Sequence, residues 1–137
     1  MIRPADEADI DRLVGMGEKF HEAKQTLYPF CSGSTRDFFS MSIARGIVLI
    51  SEGGFLSGQM VPAPSNRTYF SAYETFWWAE DRSGFRLLRA FEKWAAERGC
   101  SEVVISFPAQ EGRLERCLVK AGYTVEGNSM RRAVECA

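Results

Sequence analysis

Glu74 and the run Arg82-Ser83-Gly84-Phe85-Arg86 carry the residue types and spacing best suited to chemistry. Glu74 falls within Thr68 to Trp78, a run rich in aromatics that predicts a long strand. A carboxylate on such a strand can take a proton from an amine, directly or through water. Period-2 alternation places Glu74 on one face with Phe70, Ala72, Phe76 and Trp78. Residues 82–86 follow the end of that strand and open a helix predicted over Ser83 to Arg98. Backbone N–H groups in a first helical turn have no partner within the helix, and the helix dipole is positive there, so this turn suits a pyrophosphate. Gly84 lets the backbone come close to phosphate oxygens. Arg82 and Arg86 can each add charge-assisted contacts of about 1.5–3 kcal/mol.

Other reactive side chains have plainer readings beside their chemical ones. Tyr69, Tyr73 and Tyr123 can donate a proton or pack with a wetted hydroxyl. His21, the lone histidine, ends a helix, where it serves as cap or surface group or borders a pocket. Cys117 lies in an apolar stripe without a basic partner and reads as a buried small hydrophobe. Trp77 and Trp78, adjacent on a strand, put one ring on each side of the sheet.

Four cysteines stand far apart with no CxxC pair, so a Cys/His zinc site is not expected, and no metal is. Reduced thiols and an acidic opening, Asp6-Glu7-Ala8-Asp9, fit a cytoplasmic chain without a signal peptide. The purest apolar run, Ile47 to Ile50, is far below the ~20 residues of a membrane helix. Seventeen Lys+Arg stand against eighteen Asp+Glu. A chain so balanced is not expected to grip nucleic acid over a broad face. Its basic residues are thirteen Arg and four Lys, which leaves room for a local arginine pocket around a phosphorylated ligand.

The elements that must hold these residues can be read from pattern. With 137 residues, 45% of them hydrophobic, one domain over 1–137 is expected. A short strand at Ile2-Arg3 precedes Asp6, a helix N-cap, and a helix to about Lys24 carrying Ile10, Leu13, Val14, Gly17 and Phe20. Ser34 is expected to cap a second helix that stops at Gly46. Ile47 to Ser51 and Phe55 to Val61 read as strands. Pro62 to Asn66 reads as a loop, because prolines cannot donate ladder bonds. Gly99 closes the next helix, Glu102 to Phe107 is a strand, and a last helix through Leu114, Cys117, Leu118 and Ala121 ends at Gly122. Two more strands are predicted near Tyr123–Val125 and Ser129–Val134. The order β-α-α-β-β-β-α-β-α-β-β makes an α/β domain on a mixed sheet of about six to seven strands, helices on both faces.

This order, over nearly the whole chain, resembles the GNAT N-acetyltransferase superfamily. Ile2-Arg3-Pro4-Ala5 followed by acids is similar to the family's IRPAxxxD start. Glu74 to Glu92 resembles its core stretch of strand, phosphate loop and helix, with Leu87-Leu88 and Glu92 standing for LLxxxE. Lys120-Ala121-Gly122-Tyr123 is similar to its KxGF/Y turn. The resemblance implies an acetyl-CoA-dependent N-acetyltransferase, with direct attack of an amine on the thioester. The loop of Arg82, Ser83, Gly84, Phe85 and Arg86 would hold the pyrophosphate. The backbone of Phe76, Trp77 and Trp78 would hold the pantetheine arm, and Glu74 would act as base. The acceptor, a small amine or a peptide or protein amine, would lie by the first two helices, Tyr28-Pro29-Phe30 and Tyr69 to Tyr73. No membrane or nucleic-acid partner is implied, and family members are often homodimers.

The chain departs from the family in two places. The loop is usually R/Q-x-x-G-x-G/A. With Gly84 as its last position, Arg82 stands for the earlier glycine and Ala79 for the Arg/Gln; with a shorter loop, Arg82 is the family arginine. Leu118 occupies the place of the tyrosine that commonly protonates the departing thiolate, and Glu111 that of a frequent asparagine. A catalytically degenerate GNAT-fold protein, binding a partner or serving in an assembly such as a phage particle, is the alternative these departures imply.

Overall fold

The computed structural model describes residues 1–24, 26–107, 111–127 and 129–134. They fall into two units, Met1–Ile105 and Ser106–Ala137. In the first, β1 (Arg3–Pro4) leads through a short 3-10 turn (Glu7–Asp9) to α1 (Ile10–Ala23) and α2 (Ser32–Arg45). Three strands follow, β2 (Ile47–Ile50), β3 (Gly54–Ala63) and β4 (Asn66–Ala79), then α3 (Gly84–Glu97) and β5 (Glu102–Val104). The sheet runs β1-β2-β3-β4-β5, antiparallel except for the parallel β4–β5 pair.

Asp6 starts the first helical segment as its sequence position predicts: its carboxylate accepts the Ala8 N–H, and its own N–H donates to Asp9. Arg3 then clamps Asp9 with both guanidinium nitrogens, each 2.8 Å from a carboxylate oxygen. The apolar face of α1, with Leu13 and Met16, packs with Phe39 of α2 on Val48, Ile50 and Phe55. The opposite face of the sheet receives α3 through Leu87, Leu88, Phe91 and Ala95. Helices therefore cover both faces, as the pattern predicts. Gly58 of β3 is required by that packing, since a Cβ there would lie 2.3 Å from the Phe91 ring. Gly99 ends α3 with φ of 80°, a left-handed turn that favours glycine.

The second unit holds α4 (Gly112–Lys120), ended at Gly122 with φ of 100°. The two strands expected near Tyr123–Val125 and Ser129–Val134 are not formed among the described residues, so the sheet has five strands. Met130 is 99% and Val134 90% exposed, and a strand with no face to bury has little to hold it. Cys136 lies outside the described residues.

Boundaries shift for local reasons. Helix α2 begins two residues before Ser34, and Cys31 is its cap, accepting the Ser34 N–H on sulfur at 3.5 Å. Strand β3 runs through Pro62, opposite Phe70, because the ladder becomes irregular between Pro62 and Ala63, where the missing donor is tolerated. No helix among the described residues is long and apolar enough to cross a membrane.

Candidate active site

The long strand β4 carries the site, and its register changes halfway along. Ser57 of β3 faces Phe76, while the next residue, Gly58, faces Glu74, so Thr75 is an extra residue: a β-bulge. Buried Ser57 takes up the bulge, its hydroxyl 2.9 Å from that of Thr75 and 3.4 Å from the Phe76 carbonyl. The inserted residue reverses the alternation. Phe76 and Trp78 point to the α1/α2 face, where they meet Phe20 at ring distances of 4.5 and 6.0 Å. Glu74, opposite Gly58, shares instead the α3 face with Ala72. The expected common face of Glu74, Phe76 and Trp78 is thus broken by the bulge. Trp77 turns to the α3 side, as the one-ring-per-side reading requires, and meets Phe85 edge-on at 6.0 Å.

A second feature lies along the other edge of β4. Strand β5 pairs with it only at Ser71, Ala72 and Tyr73. From Thr75 to Ala79 the β5 side of β4 has no ladder partner among the described residues. The backbone groups of that edge, those of Phe76 to Trp78 included, are where an extended chain could bond.

This edge runs into the turn 80–83, which is fastened from three sides. The Glu80 N–H donates to Gly53 O at 2.7 Å. Asp81 accepts the Ser83 N–H at 2.9 Å and also the Ser83 hydroxyl. The Ser51 and Ser83 hydroxyls lie 2.8 Å apart, and the Ser51 hydroxyl also donates to the Gly54 carbonyl at 3.2 Å. These bonds hold the Asp81 carboxyl below the usual carboxylate range, the Ser83 hydroxyl first and its N–H second. Arg12 of α1 donates to the Ser51 and Glu52 carbonyls, tying the helix to the same corner. Lys19 reaches Glu80 at 2.8 Å and lowers its carboxyl in turn.

Of the residues expected at a phosphate site, Ser83 proves to be the buried fastener. Gly84, Phe85 and Arg86 form the first turn of α3. Their amides precede its first i→i−4 bond, from Leu87 N–H to Ser83 O, and so have no acceptor within the helix. Arg82 and Arg86 are exposed and form no hydrogen bond or ion pair among the described residues. Phe85 is 36% exposed, beside Trp77.

The remaining candidates are dispersed. Tyr69 and Tyr73 are 38% and 41% exposed on β4, and Tyr73 lies on the face opposite Glu74. His21 sits 5.5 Å from Tyr28 and 5.7 Å from Phe30, ring to ring, with the Thr26 hydroxyl 3.1 Å from its Nε2. Cys117 and buried Leu118 belong to α4 in the second unit. No cluster of three metal-ligating side chains occurs among the described residues.

Sequence reasoning missed the bulge, the Asp81–Ser83–Ser51 fastening and the Lys19–Glu80 pair. Asp81-Arg82-Ser83 did carry a signal, an Asp two residues before the N–H it accepts. Gly58 inside a strand was another, marking close approach or a bulge.

No family model matches the chain, and no curated protein matches it in sequence. Solved structures do. A Trypanosoma brucei acetyltransferase is similar at a TM-score of 0.71 and 14% identity, covering 98% of this chain and 99% of its own. A predicted acetyltransferase from Clostridium acetobutylicum, solved with acetyl-CoA, has a TM-score of 0.73 and 17% identity, covering 97% and 95%. A Thermus thermophilus protein reaches 22% identity with a TM-score of 0.67, covering 100% and 98%. The chain has the fold of the GNAT acetyltransferases.

Proposed function

We propose that this chain, one domain over 1–137, is an N-acetyltransferase that moves an acetyl group from acetyl-CoA to an amine. The observation that carries the reading is that β5 ladders with β4 only from Ser71 to Tyr73, so that the β5 side of Thr75 to Ala79 has no strand partner among the described residues and runs directly into the first turn of α3. The donor set fits a phosphopantetheine thioester. Unladdered main chain at Phe76, Trp77 and Trp78 suits an amide-bearing arm. The amides of Gly84, Phe85 and Arg86, with Arg82 and Arg86, suit a pyrophosphate. Both acids of the turn are engaged elsewhere, Glu80 with Lys19 and Asp81 with Ser83.

Acetyl-CoA would supply an activated carbonyl already joined to a good leaving group. The chain positions the amine against that carbonyl, a contribution worth several kcal/mol. Glu74, beside the bulge, takes the proton the amine sheds as the C–N bond forms and the C–S bond breaks. Leu118 offers no hydroxyl to the departing thiolate, so water returns its proton. The acceptor is a small amine or a peptide or protein amine, and the chain works in the cytoplasm.

The rival, a binding or structural module on the same scaffold, draws support from Leu118 and from the Phe85–Trp77 contact beside the first turn of α3. Thermal unfolding with acetyl-CoA, free CoA and ATP decides between them. Acetyl-CoA at ~100 times its Kd should stabilise by about 2.7 kcal/mol, a rise of several degrees, with no effect of ATP. No rise at millimolar acetyl-CoA would overturn the enzyme reading.

A further inference from the structure

Thr75 is the residue that β4 carries in excess, with no partner opposite it on β3, and it is exposed. Its hydroxyl nonetheless lies 2.9 Å from that of Ser57, which is fully buried. Ser57 also reaches the Phe76 carbonyl, at 3.4 Å, longer than usual for a hydroxyl donor. The two hydroxyl protons are shared among three oxygens, so the pair can point either way. With Ser57 bonded to the Phe76 carbonyl, Thr75 donates inward. With Ser57 donating to Thr75, the Thr75 proton is released outward. The reversal gives up only the long contact to Phe76 and so costs little. An exposed hydroxyl backed by a buried partner that takes either role is poised to donate to a group arriving from outside.

Thr75 also stands where the free edge ends. The β5 side of β4 is without a ladder from Thr75 to Ala79, and β5 closes it at Tyr73. An extended arm with its phosphates on the first turn of α3 runs along that edge from Ala79 toward Thr75, over on the order of 15 Å of strand. Its reactive end comes to the bulge, where β5 stops it going further. Of Glu74, Thr75 and Phe76, Thr75 alone has a side-chain proton to give, because ionised Glu74 only accepts and Phe76 is apolar. We propose that the Thr75 hydroxyl donates to the carbonyl oxygen of the bound acetyl group, and that the protein thereby distinguishes an acyl-CoA from free CoA. That oxygen gains negative charge as an amine attacks, so the same bond strengthens toward the transition state and makes Thr75 a catalytic residue. The inference rests on the acetyl-CoA reading above and adds to it a side chain that reads the acyl group.

Titration calorimetry of acetyl-CoA and free CoA tests it, with wild type, Thr75→Val and Thr75→Ser. Valine keeps the branched shape and removes the hydroxyl at an exposed strand position, which the fold tolerates, while serine keeps the hydroxyl. Thr75→Val should weaken acetyl-CoA by about fivefold, the loss of one hydrogen bond, and leave CoA unchanged. Thr75→Ser should bind both ligands as wild type does. Undiminished acetyl-CoA affinity in Thr75→Val would overturn the proposal. So would an equal loss of both ligands, or a Thr75→Ser protein that loses acetyl-CoA as the valine variant does. In each of these cases wild type still binds acetyl-CoA, and the acetyl-CoA reading stands. Binding of neither ligand to wild type would remove that reading and the role of Thr75 with it.

Discussion

Arg3 and Asp9 close a two-point clamp, guanidinium to carboxylate at 2.8 Å twice, across the junction of the first strand and the first helix. Asp9 is only 8% exposed and also accepts the Asp6 N–H, so its ionised form has three donors. The opening motif is thereby explained as scaffold: it fixes how α1 leaves β1, and through Arg12 and Lys19 how α1 meets the turn at 80–83.

The clamp predicts acid sensitivity. Hydrogen bonds from Arg3 first, then from Asp6, hold the Asp9 carboxyl far below the usual carboxylate range. A depressed folded-state pKa stabilises above the unfolded value of about 3.9 and is lost as pH falls below it. Asp9→Asn should lower the melting temperature at pH 7 by on the order of 5 °C. The gap to wild type should narrow as the pH is taken from about 5 toward about 2. Scanning calorimetry across that range checks this, and a gap independent of pH would refute it.

Ser83 is predicted to be worth more than its size. Its buried hydroxyl links the Asp81 carboxylate to Ser51, and so joins the turn before α3 to the end of β2. Ser83→Ala should cost roughly 1–3 kcal/mol in denaturant unfolding. It should also weaken acetyl-CoA binding, because the amides of the first turn are no longer held. Loss of stability with unchanged affinity would mean that the turn is ordered by the helix alone.

What the sequence made legible was whatever repeats. The apolar spacing of α1 and α3 and the glycine at 99 are periodic or local signals, and they placed the elements to within a few residues. Thr75 was illegible because a bulge is a mismatch between two strands, absent from either alone. It reversed the face of Glu74 relative to Phe76 and Trp78, a change no alternation rule within β4 can foresee. Cys31 as a cap was hidden by Ser34, a better capping residue by type, whose hydroxyl instead donates to the Cys31 sulfur at 3.3 Å. The C-terminal strands failed for a different reason: Ser129 to Val134 has no buried face to hold a strand in place.

Cys31 should be more reactive than Cys100. The Ser34 hydroxyl and N–H pull its titration below the ordinary cysteine value, whereas burial pushes Cys100 above it. At neutral pH iodoacetamide should label Cys31 well before Cys100, and the ratio should shrink as the pH rises and Cys100 ionises. Peptide mass mapping over time measures this, and faster labelling of Cys100 would contradict the arrangement.

Glu74→Gln separates proton transfer from binding. With an accepted amine in hand, kcat should fall by about 10²–10⁴, the usual contribution of a positioned base. Affinity for acetyl-CoA, measured by calorimetry, should be unchanged, since the arm would be held by main chain. An unaltered kcat would transfer the proton to water; a lost acetyl-CoA site would make Glu74 a structural residue.

Gly84→Ala tests whether a phosphate truly comes to this turn. A Cβ there would meet Ala79 Cβ at 3.7 Å and the Trp77 ring at 3.9 Å, ordinary contacts that the fold accommodates. Alanine also loses less backbone freedom than glycine, so stability should hold or rise by about 0.5–1 kcal/mol. Nothing in the fold itself therefore demands glycine at this position, unlike Gly58 under Phe91. If phosphate oxygens approach the amides of residues 84–86, the added methyl intrudes on them, and acetyl-CoA affinity should drop by about tenfold or more, comparable to losing one charge-assisted contact. A variant that is stable and binds acetyl-CoA as wild type does would show that the pyrophosphate lies elsewhere. The roles of Arg82 and Arg86 would then have to be sought with a different ligand.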